Sequence, residues 1–93
     1  MAIQSFKCND TKALYETGKS KKFGNFKATA ERKLQMLDSA VTLEFLKTPP
    51  ANLLEALTGD RAGQHSIRIN DQWRVCFVWT AEGPQNVEIV DYH

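Results

Sequence analysis

The feature that most constrains this chain is a change of period near residue 60. From there the residues suited to burial alternate, His65, Ile67 and Ile69 in one run and Trp73, Val75, Phe77 and Trp79 in the next, with Asn70-Asp71-Gln72 between them. Alternation at period two marks strands with one buried face, and a short polar break between two such runs marks a hairpin. A three-residue loop sets Ile69 against Trp73 and Ile67 against Val75 on the core side. The other side then brings Arg68 directly across from Arg74. Like charges facing each other across a sheet destabilise it, so both arginines are expected to point at something anionic.

The N-terminal half follows a different rule. Phe26, Ala30, Lys33, Leu34 and Leu37 recur at helical spacing and predict the longest helix over about Asn25 to Asp38, with Phe23 packing in from the front. A shorter helix is expected after Asn9 or Asp10 as its cap, with Ala13 and Leu14 on its apolar side and Gly18 as its stop. Ile3 to Cys8 alternates and reads as a first strand. Val41, Leu43, Phe45 and Leu46 suggest an apolar turn or short helix ended by Pro49-Pro50, and Ala51 to Leu57 is ambiguous. After Gly83-Pro84 a last strand is expected through Val87 to Val90. The order of one strand, two or three helices and then an antiparallel sheet predicts an α+β fold with the helices on one face.

With 93 residues the chain is expected to form one domain over 1–93, and 42% apolar with 25% charged residues indicates a globular chain. No apolar run reaches the length of a membrane span and the start has no signal pattern, so a cytoplasmic protein without a membrane partner is expected. Cys8 and Cys76 lack metal-ligand spacing; both are expected to be reduced and buried, and no metal or cofactor is called for. Charge is unevenly spread. Residues 1–33 hold eight Lys/Arg against three Asp/Glu, residues 34–60 one against four, and residues 61–93 three against four. Such a basic block suits a nucleic-acid surface or simply a solvated face.

The sequence closes on Asp91-Tyr92-His93, an acid, a phenol and an imidazole in a row. A histidine that also carries its own carboxylate is expected to favour the protonated ring near neutral pH, which suits proton transfer.

The block Leu57 to Phe77, containing Gly59-Asp60-Arg61-Ala62-Gly63 and Trp73-Arg74-Val75, resembles the HigB branch of the RelE/ParE toxins of bacterial toxin-antitoxin pairs. So do the ending Val87 to His93, the opening Ile3-Gln4-Ser5-Phe6 and the helix Ala30-Glu31-Arg32-Lys33-Leu34. The likeness spans nearly the whole chain and is closest to ribosome-dependent HigB and GraT-like toxins. It implies a small antiparallel sheet backed by N-terminal helices. The function it implies is a metal-independent endoribonuclease that cuts messenger RNA in the decoding site of the 70S ribosome by attack of a ribose 2′-hydroxyl. Partners implied are a helix-turn-helix, HigA-like antitoxin, in a heterotetramer of two toxins and two antitoxins, with the toxin a monomer alone.

Carried over by this resemblance, the catalytic residues are Arg74 on the scissile phosphate, His93 as general acid or base, Asp91 positioning a partner or a proton, and Tyr92 stacking on a base or donating to phosphate. Arg68, Arg61, Lys19, Lys21 and Lys22 are the RNA-binding candidates. Some relatives carry a histidine and a lysine just before the Gly-Asp-Arg turn, where this chain has Glu55 and Thr58, so either Glu55 supplies a base or Arg68 and the terminal residues carry more of the work. The ParE branch shares the scaffold but blocks gyrase without chemistry, and stands as the alternative. Plainer roles are available: Arg61 in a turn ion pair, His65, Trp73 and Trp79 in the core, and the three lysines in a solvated loop.

Overall fold

The structure is a computed structural model that describes residues 2–91; Tyr92 and His93 lie outside the described residues. Helix α1, Asn9–Thr17, ends at Gly18, whose left-handed φ of 70° lets its N–H reach the Leu14 carbonyl. The N-cap is Cys8, one residue earlier than expected, and no side chain caps the helix. Thr11 and Leu14 form its buried face. Helix α2, Lys27–Ser39, buries Ala30, Leu34 and Leu37, the i, i+4, i+7 stripe read from the sequence. It begins two residues later than expected because Gly24–Phe26 forms a single 3-10 turn in front of it. Further 3-10 turns at Leu43–Lys47 and Pro50–Asn52 lead to the sheet.

The sheet is an antiparallel meander of β1 (Glu55–Ala56), β2 (His65–Arg68), β3 (Trp73–Thr80) and β4 (Gly83–Asp91), in that spatial order. Register follows the pleat: Ile67 pairs with Val75 and Arg68 with Arg74. The α+β architecture expected from the element order is present, with α1 and α2 both packed against β4.

Two expectations are corrected. Ile3 to Cys8 is extended but is not a regular strand; Phe6 makes a parallel bridge to Val87, and Gln4 and Lys7 donate backbone bonds to the Pro84 and Val87 carbonyls at 2.7 and 3.0 Å. This segment covers the outer edge of β4, which would otherwise expose unpaired backbone groups. The last strand starts at Gly83, four residues before its expected start. Gly83-Pro84 is inside the strand, and the turn is Ala81-Glu82, braced by the Thr80 hydroxyl donating to the Gly83 carbonyl at 2.7 Å.

One face of the sheet makes the core. Ile67, Ile69, Val75, Phe77, Val87 and Ile89 pack against Leu14, Phe23, Ala30, Leu34, Leu37 and Leu46. Removing each of these side chains except Ala30 from water stabilises the fold by about 1.5–3 kcal/mol. Trp73 and Trp79 pack against this cluster, as expected for the core face. Thr11 links helix and sheet directly, its hydroxyl accepting from the Ile89 N–H at 3.0 Å. With one face spent on packing, chemistry is left to the other.

Candidate active site on the open face of the sheet

Pairing of Glu55 with Ser66, Ser66 with Cys76, Arg68 with Arg74 and Cys76 with Glu88 sets these side chains on the face opposite the core. Arg74 lies at the floor of that face and is only 8% exposed. A buried guanidinium is costly unless its donors are met. Its Nε donates to Ser66 Oγ at 2.8 Å, and its Nη2 to the Leu53 carbonyl at 2.6 Å and the Ser66 carbonyl at 3.4 Å. Glu55 adds a carboxylate oxygen 3.8 Å from Nη2.

The opposition of Arg68 and Arg74 is thereby resolved within the chain. Arg74 turns toward Glu55, and Arg68 pairs with Asp71 in the hairpin loop. Anionic partners were expected for both, and each has one.

A second cationic group joins this face from the turn after β1. Arg61, in the 3-10 turn Gly59–Arg61, reaches Glu88 on β4 at 2.8 Å and Gln64 at 3.2 Å. Lys7 also approaches Glu88, at 3.8 Å. Glu88, whose side chain is 15% exposed, therefore sits between two cations, and Arg61 has a structural use with a partner across the sheet. Cys76 lies beside this group. Burial pushes its thiol above the ordinary range, outweighing the nearby Arg61 guanidinium.

Asp91 ends β4 opposite Trp73, and its Oδ2 accepts from Gln72 Nε2 at 2.9 Å. Its register neighbour Val90 faces Arg74, so the pleat sends the Asp91 side chain toward the Trp73 side of the sheet end and the Arg74 side chain to the other. Tyr92 and His93, the remaining catalytic candidates, follow directly in sequence and lie outside the described residues.

Lys19, Lys21 and Lys22, together with Lys27, Asp10, Ala13 and Ser20, line a shallow cleft between α1 and α2. Lys22 stands 3.9 Å from Asp10 and lies over the Phe23 ring. That ring meets Trp73 edge-on with centroids 5.7 Å apart, and Phe26 meets the same indole at 5.1 Å. The basic connector is thus anchored on the strand residue next to Arg74. His65 is stacked on Phe77 and shares the lining of a small pocket with Leu43 and Leu54, but it is not the satisfied core histidine expected: among the described residues its buried Nδ1 has no hydrogen-bond partner.

Sequence reading missed Ser66 and the Leu53 carbonyl. The first was available in principle, because the Arg68–Arg74 register places Ser66 on the same face, diagonal to Arg74. The second depends on a left-handed leucine, φ 46°, that no local pattern signals.

Comparison with known proteins locates this arrangement. Over 48 residues the chain is 46% identical to Toxin HigB-1 of Vibrio cholerae serotype O1 (strain ATCC 39315 / El Tor Inaba N16961), a match covering 52% of this chain and 50% of that protein. The matched stretch spans about half the length of that relative. The model of the HigB-like toxin family, described as a RelE-like toxin of the type II toxin-antitoxin system HigB, matches residues 4–93, and the chain belongs to this family.

Proposed function

We propose that this protein is a toxin that enters the decoding site of the 70S ribosome and cuts messenger RNA there without a metal ion. The observation that carries the reading is the Arg74 guanidinium, held at the floor of the open face with the Glu55 carboxylate 3.8 Å away. Family membership supports it.

Cleavage by the neighbouring 2′-hydroxyl needs a base for that proton, an acid for the leaving 5′-oxygen, and cationic groups against the negatively charged oxygens of the pentavalent phosphorane between them. The 2′-oxygen forms a bond to phosphorus as the bond to the 5′-oxygen breaks, leaving a 2′,3′-cyclic phosphate and a 5′-hydroxyl. Arg74 supplies the charge: its planar fork matches phosphate oxygens, and at a site shielded from water its field is weakly screened. Glu55 is the nearby carboxylate able to receive the 2′-hydroxyl proton, in the place where some relatives carry a histidine. His93 protonates the leaving oxygen or exchanges roles with Glu55, Asp91 positions a partner or a proton, and Tyr92 stacks on a base. Arg68, Arg61, Lys19, Lys21 and Lys22 hold RNA phosphates around the cut.

Membership in a type II toxin-antitoxin family implies a cognate antitoxin. We take it to be a helix-turn-helix, HigA-like protein in a complex of two toxins and two antitoxins, with the toxin a monomer alone. A cytoplasmic site of action follows from the ribosome as target; among the described residues no helix is long and apolar enough to cross a membrane. The gyrase-blocking alternative has no support.

The deciding experiment adds the protein to translating ribosomes and maps new message 5′-ends. Cuts within codons, absent with Arg74→Ala, are expected. Arrest of growth without new 5′-ends overturns the reading.

A further inference from the structure

Ser66 is fully buried in β2, on the face it shares with Arg74, Glu55, Cys76 and Glu88. Its hydroxyl accepts from Arg74 Nε at 2.8 Å, while the Leu53 carbonyl receives Nη2 from the other side at 2.6 Å. A guanidinium is planar. Acceptors on Nε and on one terminal nitrogen therefore fix both the location of the plane and its rotation about the side-chain axis.

The second acceptor is held at a cost in backbone conformation. Leu53 has φ 46° and ψ 51°, a region that leucine seldom adopts, and it directly follows the turn Pro50–Asn52. Asn52, fully buried, anchors that turn by donating to the Leu46 carbonyl at 3.1 Å and accepting from Lys33 Nζ at 2.5 Å. Unfavourable backbone geometry of this kind persists only where the surroundings determine it, and it concentrates at functional sites. Here the surroundings are named, and the carbonyl they aim ends on Arg74.

We propose that Ser66, with the Leu53 carbonyl, is the positioning device of the site: it sets the Arg74 guanidinium in the orientation that meets the scissile phosphate. This rests on the endoribonuclease reading of the same face. Ser66 touches no reacting atom and acts through Arg74 alone. The change Ser66→Ala removes one oxygen while leaving the strand pairing and the arginine charge in place.

The test uses full-length protein on ribosomes carrying a defined message. Single-turnover cleavage and ribosome affinity are measured separately for wild type, Ser66→Ala, Ser66→Thr, Arg74→Lys and the Ser66→Ala/Arg74→Lys pair. Nitrogen-detected proton exchange at Arg74 Nε is followed in the proteins that retain the arginine, and a thermal melt of each variant identifies any that fail to fold. Ser66→Ala is expected to slow cleavage about 10- to 100-fold with ribosome affinity unchanged, as for a small misplacement of a catalytic group. Ser66→Thr, which keeps the hydroxyl, recovers most of the rate. In the Arg74→Lys background no Nε remains, and Ser66→Ala costs nothing further. Exchange at Nε quickens in Ser66→Ala.

A wild-type cleavage rate in Ser66→Ala, or the same fold-loss in both backgrounds, overturns the proposal. So does unchanged Nε exchange in Ser66→Ala, a result readable whether or not the protein cuts RNA. Failure of wild type to cleave at all sinks the endoribonuclease reading instead, which the exchange measurement does not address.

Discussion

Arg74 and Glu55 meet across a strand that belongs to neither: Nη2 of Arg74 on β3 lies 3.8 Å from Oε1 of Glu55 on β1, with β2 between them. Glu55 is about half exposed, so as an ion pair this contact adds little to stability. Its value is placement, a carboxylate beside the cation that would bind phosphate.

Glu55→Gln separates the two roles. It preserves shape and hydrogen bonding but cannot take a proton, and loss of a general base lowers the cleavage rate by about 10²–10⁴-fold. The melting temperature is expected to stay near that of wild type. Full cleavage by Glu55→Gln would remove this residue from the mechanism.

The basic connector gives a second expectation. Changing Lys19, Lys21 and Lys22 to Glu together is expected to weaken ribosome binding and to flatten its dependence on salt, because each lost phosphate contact lowers the number of counterions released by roughly one. Binding isotherms at several salt concentrations measure the slope. An unchanged slope means that these lysines are only solvated.

Thiol labelling distinguishes the two cysteines. Cys8, at the N-cap of α1, is half-buried and not buried as expected, and should be labelled in the native protein. Cys76 is fully buried in β3, and burial pushes its thiol up, so it is expected to stay unlabelled until denaturant unfolds the chain. Labelling of both at one rate in native protein would contradict the core as described.

Tyr15 provides a pH test remote from the site. Burial, and then the Asp38 carboxylate beside it, push its phenol up to about 12. The neutral ring is thus favoured in the folded state. Its contribution to stability is full below the ordinary value of 10.0 and is lost as pH rises through about 12. In a Tyr92→Phe variant, where Tyr15 is the remaining tyrosine, absorbance titration of the phenolate is expected to centre near 12 in folded protein and near 10 in denaturant. A native midpoint near 10 refutes the packing of Tyr15 against Asp38.

The register of β2 on β3 was legible because one-residue slippage would turn Ile67 and Val75 outward, and the hairpin loop fixes the count. Gly18 was legible as a helix stop for a similarly local reason, its left-handed φ. Strand β1 was not: two residues, Glu55 and Ala56, are too few to show a period, and β2 alone makes them a strand. The direction in which Ile3 to Cys8 joins the sheet was equally hidden, since alternation is the same for parallel and antiparallel neighbours. Within the site, the face shared by Arg68 and Arg74 could be read from parity. What holds Arg74 could not, because the Leu53 carbonyl comes from outside the repeating structure. The Arg61–Glu88 contact was also out of reach, since it depends on how β4 registers against β3.

Residues 4–7 lean on Pro84 and Val87, partners some eighty positions further along. A chain made from its N-terminus must carry that opening stretch single until Pro84 and Val87 have been made, since pairings this distant in sequence form only after the intervening loop has closed. The outer edge of the sheet is therefore sealed only after β4 exists, and a nascent copy that stops short of it leaves that opening stretch with nothing to cover.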